Sequence, residues 1–538
     1  MGRPRASSGC LVGVLIAALL AACGGGDGGG DGAATTTALD GSASGGRLRM
    51  GIARLSSLDP ALVSPDSPSA SIAADLLFDG LTYLPPGALT AEPALATGWS
   101  SDDGAATWRF AIDPEATFSD GTPVTAADAE LSLERVVSLG QASLTASRLD
   151  AVTGAAEFLA AGGRGAGADL AGITAIDAAT LQITLQRPMA GLPELLAAPV
   201  YGVVSSAGVA ADGEAFGESP SVSSGPFQLT GRDGDVLSLD RAPGRTAMLD
   251  GVDLRLHDDL ADAYTAFTDG ELDWTLVAPA QAATVAEESG TEGFVPFQAE
   301  YFYGFNLADP LFADVRFRQA IVQAVDRQAI VDALYPGVAD PLAGVVPAGV
   351  PGADRSRCAA GCAYDTAATA VLLAQAFPDG TVPEVPIDFP EGGDEAAVAA
   401  VIEQHLEAAG IPATLRPHPA ADYVSFAVSG QQGLASLGWI GVQATPEDYL
   451  DRLFRTGSPD NTTGFSDAGV DALLAEAAAT LDPATRVDLL GQAETLVLGS
   501  AAVLPIAQFR VLTVQSDRVE GLELSVTGTF NPTPVNVR

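Results

Sequence analysis

Beyond residue 23 no apolar run approaches the roughly 18 residues that a membrane-spanning helix needs, so nearly all of this 538-residue chain must fold as a water-exposed body. One apolar stretch near the start, Leu11 to Leu20, is too short to span a bilayer. With Arg3 and Arg5 ahead of it and small residues behind, it reads as an export signal over residues 1–22. About 500 residues then remain, enough for two or three domains around a large core.

Charge and missing residue types narrow the function. A formal net charge of −42 repels phosphate backbones and anionic headgroups, which argues against nucleic-acid binding. The same charge would attract cationic solutes, but a solvated acidic surface that keeps the chain soluble is the better account of it. The chain contains no lysine, so a phosphate-cradling loop ending in Gly-Lys cannot exist in it. His257, His405 and His418 lie far apart in sequence, and no metal site is expected.

Leu20-Ala21-Ala22-Cys23 resembles the lipobox of bacterial lipoproteins, which implies that Cys23 is acylated and anchors the chain. Residues 23–46, rich in glycine, then form a tether. Only Cys358 and Cys362 remain for the folded body. In an oxidising exterior two cysteines four apart favour a small structural disulfide over a metal site.

From Arg47 the pattern becomes alternating. Leu48, Met50 and Ile52 predict a first strand, and Trp108/Phe110/Ile112, Leu181/Ile183/Leu185 and Val252/Leu254/Leu256 predict others. Capped helices lie between. Thr125 with Asp128 is a capping-box signature, Asp314 and Asp326 precede two apolar helical stripes, and Asp482-Pro483 supplies an N-cap and first-turn proline. Ser466 precedes a further stripe through Val470 and Leu474. The mixture predicts a large, multi-lobed α/β protein without internal repeats.

Longer motifs are more specific. Phe78-Asp79-Gly80-Leu81, Glu92-Pro93-Ala94-Leu95-Ala96 and the run Phe118 to Asp128 come first. Ser224-Gly225-Pro226-Phe227, Gly270-Glu271-Leu272-Asp273, Phe305-Asn306, Gly438-Trp439, Asn461 to Ser466 and Leu504-Pro505 follow. In this order they resemble the family-5 extracellular solute-binding proteins, receptors of peptide and nickel ABC importers, over nearly the whole mature chain.

The resemblance implies a bilobal clamshell with an extra subdomain. Lobe I would comprise residues 47–79, 199–298 and 505–538, the extra subdomain 80–198 and lobe II 299–504. It implies a monomeric receptor that passes solute to a permease and ATPase, with no catalytic residue and no cofactor. Ligand would lie between the lobes, met by Ser64 and Asp66 after the Leu58-Asp59-Pro60 motif and by Gly438 and Trp439 from the other side. Tyr301 and Tyr303 would face the cleft or simply pack. Relatives that bind peptides carry an aspartate three residues after the tryptophan to hold an α-amino group; this chain has Val442 there, and Ser425 to Leu437 contains no charge. The ligand is therefore expected not to be gripped as a zwitterion at these two points, and Asp66 or Glu447 would be alternative anchors.

Two other classes compete. A secreted hydrolase would need a nucleophile elbow or a His-Glu-x-x-His helix, and neither motif occurs. A sensory or adhesive surface lipoprotein could keep the clamshell without a transporter.

Overall fold

A ten-strand path runs through the computed structural model, in the order Ala413–His418, Val385–Pro390, Leu434–Ile440, Phe294–Phe305, Val503–Gln515, Trp274–Leu276, Arg47–Ala53, Gly251–His257, Val236–Arg241 and Phe227–Asp233. An eleventh strand, Ala339–Pro341, joins it from the side. The structure describes residues 45–101, 104–139, 146–358 and 361–538. The export signal, Cys23 and the tether through residue 44 lie outside the described residues.

Parallel and antiparallel pairs occur in runs along this path: two parallel, three antiparallel, two parallel and two antiparallel. Arg47–Ala53 pairs in parallel with Gly251–His257, which needs a long crossover and leaves room for the whole stretch between. Leu48, Met50 and Ile52 are fully buried on one face, as their alternation predicts. The last strand of this sheet in chain order, Val503–Gln515, is long enough to serve both halves: Val503–Leu512 pairs with Phe294–Phe305, and Thr513–Gln515 pairs with Trp274–Leu276.

Three main apolar cores result. One gathers Leu48, Phe78, Phe227, Trp274 and Val511. A second contains Tyr303, Phe305, Phe317, Ile387 and Leu504. Inserted in sequence between Phe78 and Phe227 of the first core, a separate four-stranded sheet, Ala96–Ser101, Thr107–Ile112, Thr180–Thr184 and Ile173–Asp177, packs Phe110, Leu133 and Ile183 into a third. Along Phe294–Phe305 the first core ends at Ala299 and the second begins at Tyr301, beside a register shift against the last strand between Pro296 and Glu300.

Helices start where short polar side chains satisfy their first N–H groups. Asp314, Asp326 and Asp482 accept from Arg316, Ala329 and Thr485, and Pro483 occupies the first turn of its helix. Thr125 donates to the Asp128 carboxylate through both its N–H and its hydroxyl, at 3.0 and 2.6 Å. The helix Ala468–Ala479 is capped by Asp467 rather than Ser466, because the Asp467 carboxylate reaches two N–H groups, Gly469 and Val470. Cys358 and Cys362 are joined by a disulfide.

The Ser224-Gly225-Pro226-Phe227 motif is a junction. Gly225 N–H donates to the Leu77 carbonyl at 2.9 Å, the Ser224 hydroxyl donates to the Val203 carbonyl, and Asp79 N–H donates to Ser224 Oγ. A Cβ on Gly225 would lie 2.6 Å from backbone atoms of Leu77 and Phe78, so only glycine allows this approach.

Candidate ligand site

Antiparallel pairing of Phe294–Phe305 with Leu434–Ile440 sets Glu300 directly opposite Trp439, Tyr301 opposite Gly438 and Tyr303 opposite Ser436. Directly opposed residues share a face and successive residues alternate. Trp439 therefore shares its face with Glu300, while Tyr301 and Tyr303 occupy the other. The tyrosine hydroxyls bond to each other at 3.3 Å, and Tyr301 Oη lies 3.1 Å from Ser436 Oγ. Burial raises the Tyr301 pKa to about 12. The two tyrosines thus pack beneath the sheet and are not brought together with Trp439.

On the Trp439 face two residues from distant sequence converge. The Arg148 guanidinium carbon lies 4.4 Å from the centre of the indole, and Arg148 Nε donates to Asp448 Oδ1 at 2.8 Å. Both charged side chains are almost fully buried. Asp448 also accepts the N–H of Val442 at 2.5 Å. Val442, itself buried, thus holds a carboxylate on its backbone where its side chain carries none.

Further ion pairs extend this seam between residues 150–194 and 447–486. Arg187 reaches Asp451 at 3.2 Å, Arg452 reaches Asp150 at 3.0 Å, and Arg486 bridges Glu194 and Glu447 at 3.2 and 3.0 Å. A small cavity of about 50 Å³ opens beside it, lined by Arg148, Met189, Gln443, Glu447 and Asp448. A second, also of about 50 Å³, lies against Asp75, Tyr83, Val442, Gln443 and Thr527. Burial and the nearby Asp79 push the Asp75 carboxyl up to about 8.

Ser64 and Asp66 sit exposed on the loop between the short turn Pro60–Leu62 and the helix Pro68–Leu77. Asp59 anchors that loop by accepting Ala61 N–H and pairing with Arg135. Gly438 is exposed and Trp439 is buried, its indole N–H without a hydrogen-bond partner. Glu447 is engaged with Arg486. Sequence reasoning missed Arg148, Asp448 and Glu300. The acidic pair Glu447-Asp448 opening a helix was visible, but nothing local to it pointed to Arg148, 300 residues away.

The mixed sheet and its separate cores are the fold of bilobal periplasmic binding proteins. An MppA periplasmic murein tripeptide-binding protein in its unliganded open form superposes with a TM-score of 0.80 at 21% identity, covering 91% of this chain and 97% of that one. HbpA2 from Haemophilus parasuis gives 0.78 at 21% identity, covering 92% and 100%. Residues 90–461 match the family described as bacterial extracellular solute-binding proteins, family 5 middle, and the chain belongs to that family. Among curated relatives, the Escherichia coli periplasmic oligopeptide-binding protein OppA is 28% identical over 474 residues, 84% of each chain. The probable deoxycholate-binding periplasmic protein YgiS of the same organism is 28% identical over 485 residues, 87% of this chain and 89% of that one. The dipeptide-binding protein DppE of Bacillus subtilis is 25% identical over 445 residues, 80% and 81%.

Proposed function

We propose that this chain is the receptor of an ABC importer, capturing peptides or peptide-like solutes at the Trp439 seam and delivering them to a membrane permease and its ATPase. The observation that carries this reading is the convergence of Trp439, Arg148 and Asp448, a flat aromatic wall among buried charges, beside a small cavity of about 50 Å³. Relatives named for dipeptides and oligopeptides support the ligand class.

In this reading residues 47–79, 199–298 and 505–538 form lobe I, 80–198 the extra subdomain and 299–504 lobe II. The long strands Phe294–Phe305 and Val503–Gln515 cross between lobes I and II and are the natural hinge. Ligand favours the closed form by its differential affinity for it, and the closed form is what a permease would recognise. Gly438, Trp439 and the backbone at Val442 would meet the ligand from one side, and Ser64 and Asp66 from the loop of the other. Cys23 would carry the lipid and keep the receptor near its transporter, which raises local concentration without new contacts.

Native mass spectrometry on protein purified gently from its host tests the ligand class. A co-purifying oligopeptide mass supports it, whereas a steroid or sugar mass would move the chain to another solute. Cys23→Ala should release the protein from the membrane fraction; retention there would remove the lipid anchor from the account.

A further inference from the structure

The chain itself already covers the indole of Trp439. Arg148 lies over it, the guanidinium carbon 4.4 Å from the ring centre, and Arg148 Nε donates to Asp448 Oδ1 at 2.8 Å. Asp448 is fully engaged too, because its other oxygen accepts the N–H groups of Val442 and Gln443 at 2.5 and 3.4 Å. The two charged side chains are 3% and 1% exposed. A buried charge persists where a partner compensates it, and here the chain supplies both partners.

The other acids around the indole are equally closed to a ligand's charge. Glu447 pairs with Arg486 at 3.0 Å. Glu300, opposite Trp439 in the strand pairing, is buried, and burial with the charges of Glu494 and Asp448 keeps its carboxyl protonated well above the usual range. A cationic ligand end arriving here must displace Arg148, which leaves a buried guanidinium uncompensated, or sit beside it and be repelled. A carboxylate end meets Asp448 and Glu447 in the same way.

What the seam leaves open is uncharged. Gln443 is 8% exposed and borders both small cavities, and its Oε1 is buried without a hydrogen-bond partner. The cavity beside Arg148 is walled on its apolar side by Met189, Leu195 and Leu474, and its volume of about 50 Å³ is room for a small end group rather than a whole solute. Buried acceptors in native proteins find donors. An amide N–H would supply one, and the methyl of an acyl cap matches the apolar wall.

We propose that Arg148 is a built-in occupant of the Trp439 face that makes the receptor select an uncharged ligand end, an acylated or otherwise blocked amine, whose amide N–H donates to Gln443 Oε1. This rests on the Trp439 seam being the ligand site and adds which end group that site admits and which residue sets the choice. Arg148 acts by holding Asp448 neutralised, so that no carboxylate is left over for an ammonium.

Calorimetric titration of the full-length wild-type protein, Arg148→Gln and Gln443→Leu with the tripeptide Ala-Phe-Ala and its N-acetylated form tests this, with thermal melts to establish that each variant is folded. Wild type is expected to bind the acetylated tripeptide at least about tenfold more tightly than the free one. In Arg148→Gln the Asp448 carboxylate loses its counter-ion and becomes available to an ammonium, so that ratio should shrink at least about tenfold or reverse. A merely structural role would weaken both peptides alike and leave the ratio unchanged, a result that takes the choice of end group away from Arg148. Gln443→Leu removes the acceptor without altering any charge, and should cost the acetylated peptide at least about tenfold while changing the free one little; an unchanged affinity for the acetylated form overturns the role of Gln443. Equal binding of the two peptides by wild type, or tighter binding of the free one, overturns the uncharged end and leaves the peptide reading intact. Binding of neither form by wild type removes the peptide reading and this inference with it. The wild-type ratio and the Gln443 variant keep the test decisive if Arg148→Gln fails to fold.

Discussion

Arg148 and Trp439, 291 positions apart, are stacked in the interior, with the guanidinium carbon 4.4 Å from the indole centre. The same guanidinium donates to Asp448, so one arginine ties the region of the four-stranded sheet to the strand and helix that carry the candidate site. A buried ion pair contributes little relative to apolar packing, but removing one partner leaves a charge with no compensation.

Arg148→Ala is therefore expected to destabilise the fold by about 3 kcal/mol, at the lower end for a broken buried pair because Asp448 keeps the Val442 N–H. Arg148→Lys should recover less than half, since an ammonium lacks the planar stack and fork. Urea denaturation measures both; an alanine variant as stable as wild type would show the pair to be dispensable.

Gly225→Ala should cost at least about 2 kcal/mol. The new Cβ meets backbone atoms of Leu77 and Phe78 at 2.6 Å, which cannot rotate away as a side chain could, so the end of the helix Pro68–Leu77 must shift. The midpoint of a chemical melt should fall, and near-ultraviolet dichroism should report disturbed packing of Phe78 against Phe216.

Much of this local architecture was legible in the sequence. Asp314, Asp326 and Asp482 announced their helices because a cap acts within four residues, and Leu48, Met50 and Ile52 announced a strand because alternation is a local property. The Ser-Gly-Pro-Phe motif stood out without its reason, since the partner it approaches at Leu77 lies 148 positions back. The site was only half legible. Trp439 came from a motif, but its facing residue Glu300 follows from register, and register is set by pairing that one strand alone does not reveal. The same register puts Tyr301 and Tyr303 on the far face. Arg148 carried no local signal, because long-range ion pairs leave no periodicity.

Reducing the Cys358–Cys362 disulfide should have a modest effect. Its loop spans four residues, for which chain entropy predicts about 2 kcal/mol. Both sulfurs are buried in the core that holds Tyr303 and Leu504, so Cys358→Ala/Cys362→Ala should lower the urea midpoint by that amount while leaving tripeptide binding within about twofold. A tenfold loss of binding would place the loop in the ligand's path.

Stability should also carry the signature of Asp75. Its carboxyl titrates at about 8 in the folded protein and near 3.8 as a free side chain, chiefly because burial disfavours the charge, with Asp79 adding repulsion. Between those values the folded state binds a proton that the unfolded state has lost. The slope of unfolding free energy with pH is then negative, and this contribution, complete below about pH 4, fades as pH rises through 8. Asp79, raised to about 6 by burial against the pull of Arg245, adds a slope of the same sign over a narrower window. Asp75→Asn cannot ionise. It should match wild type near pH 4 and exceed it at pH 8 by at least about 1.4 kcal/mol, the worth of a single pKa unit. Urea melts at the two pH values decide this, and a difference between the proteins that stays constant with pH would mean that Asp75 ionises normally within the cavity it shares with Val442 and Gln443.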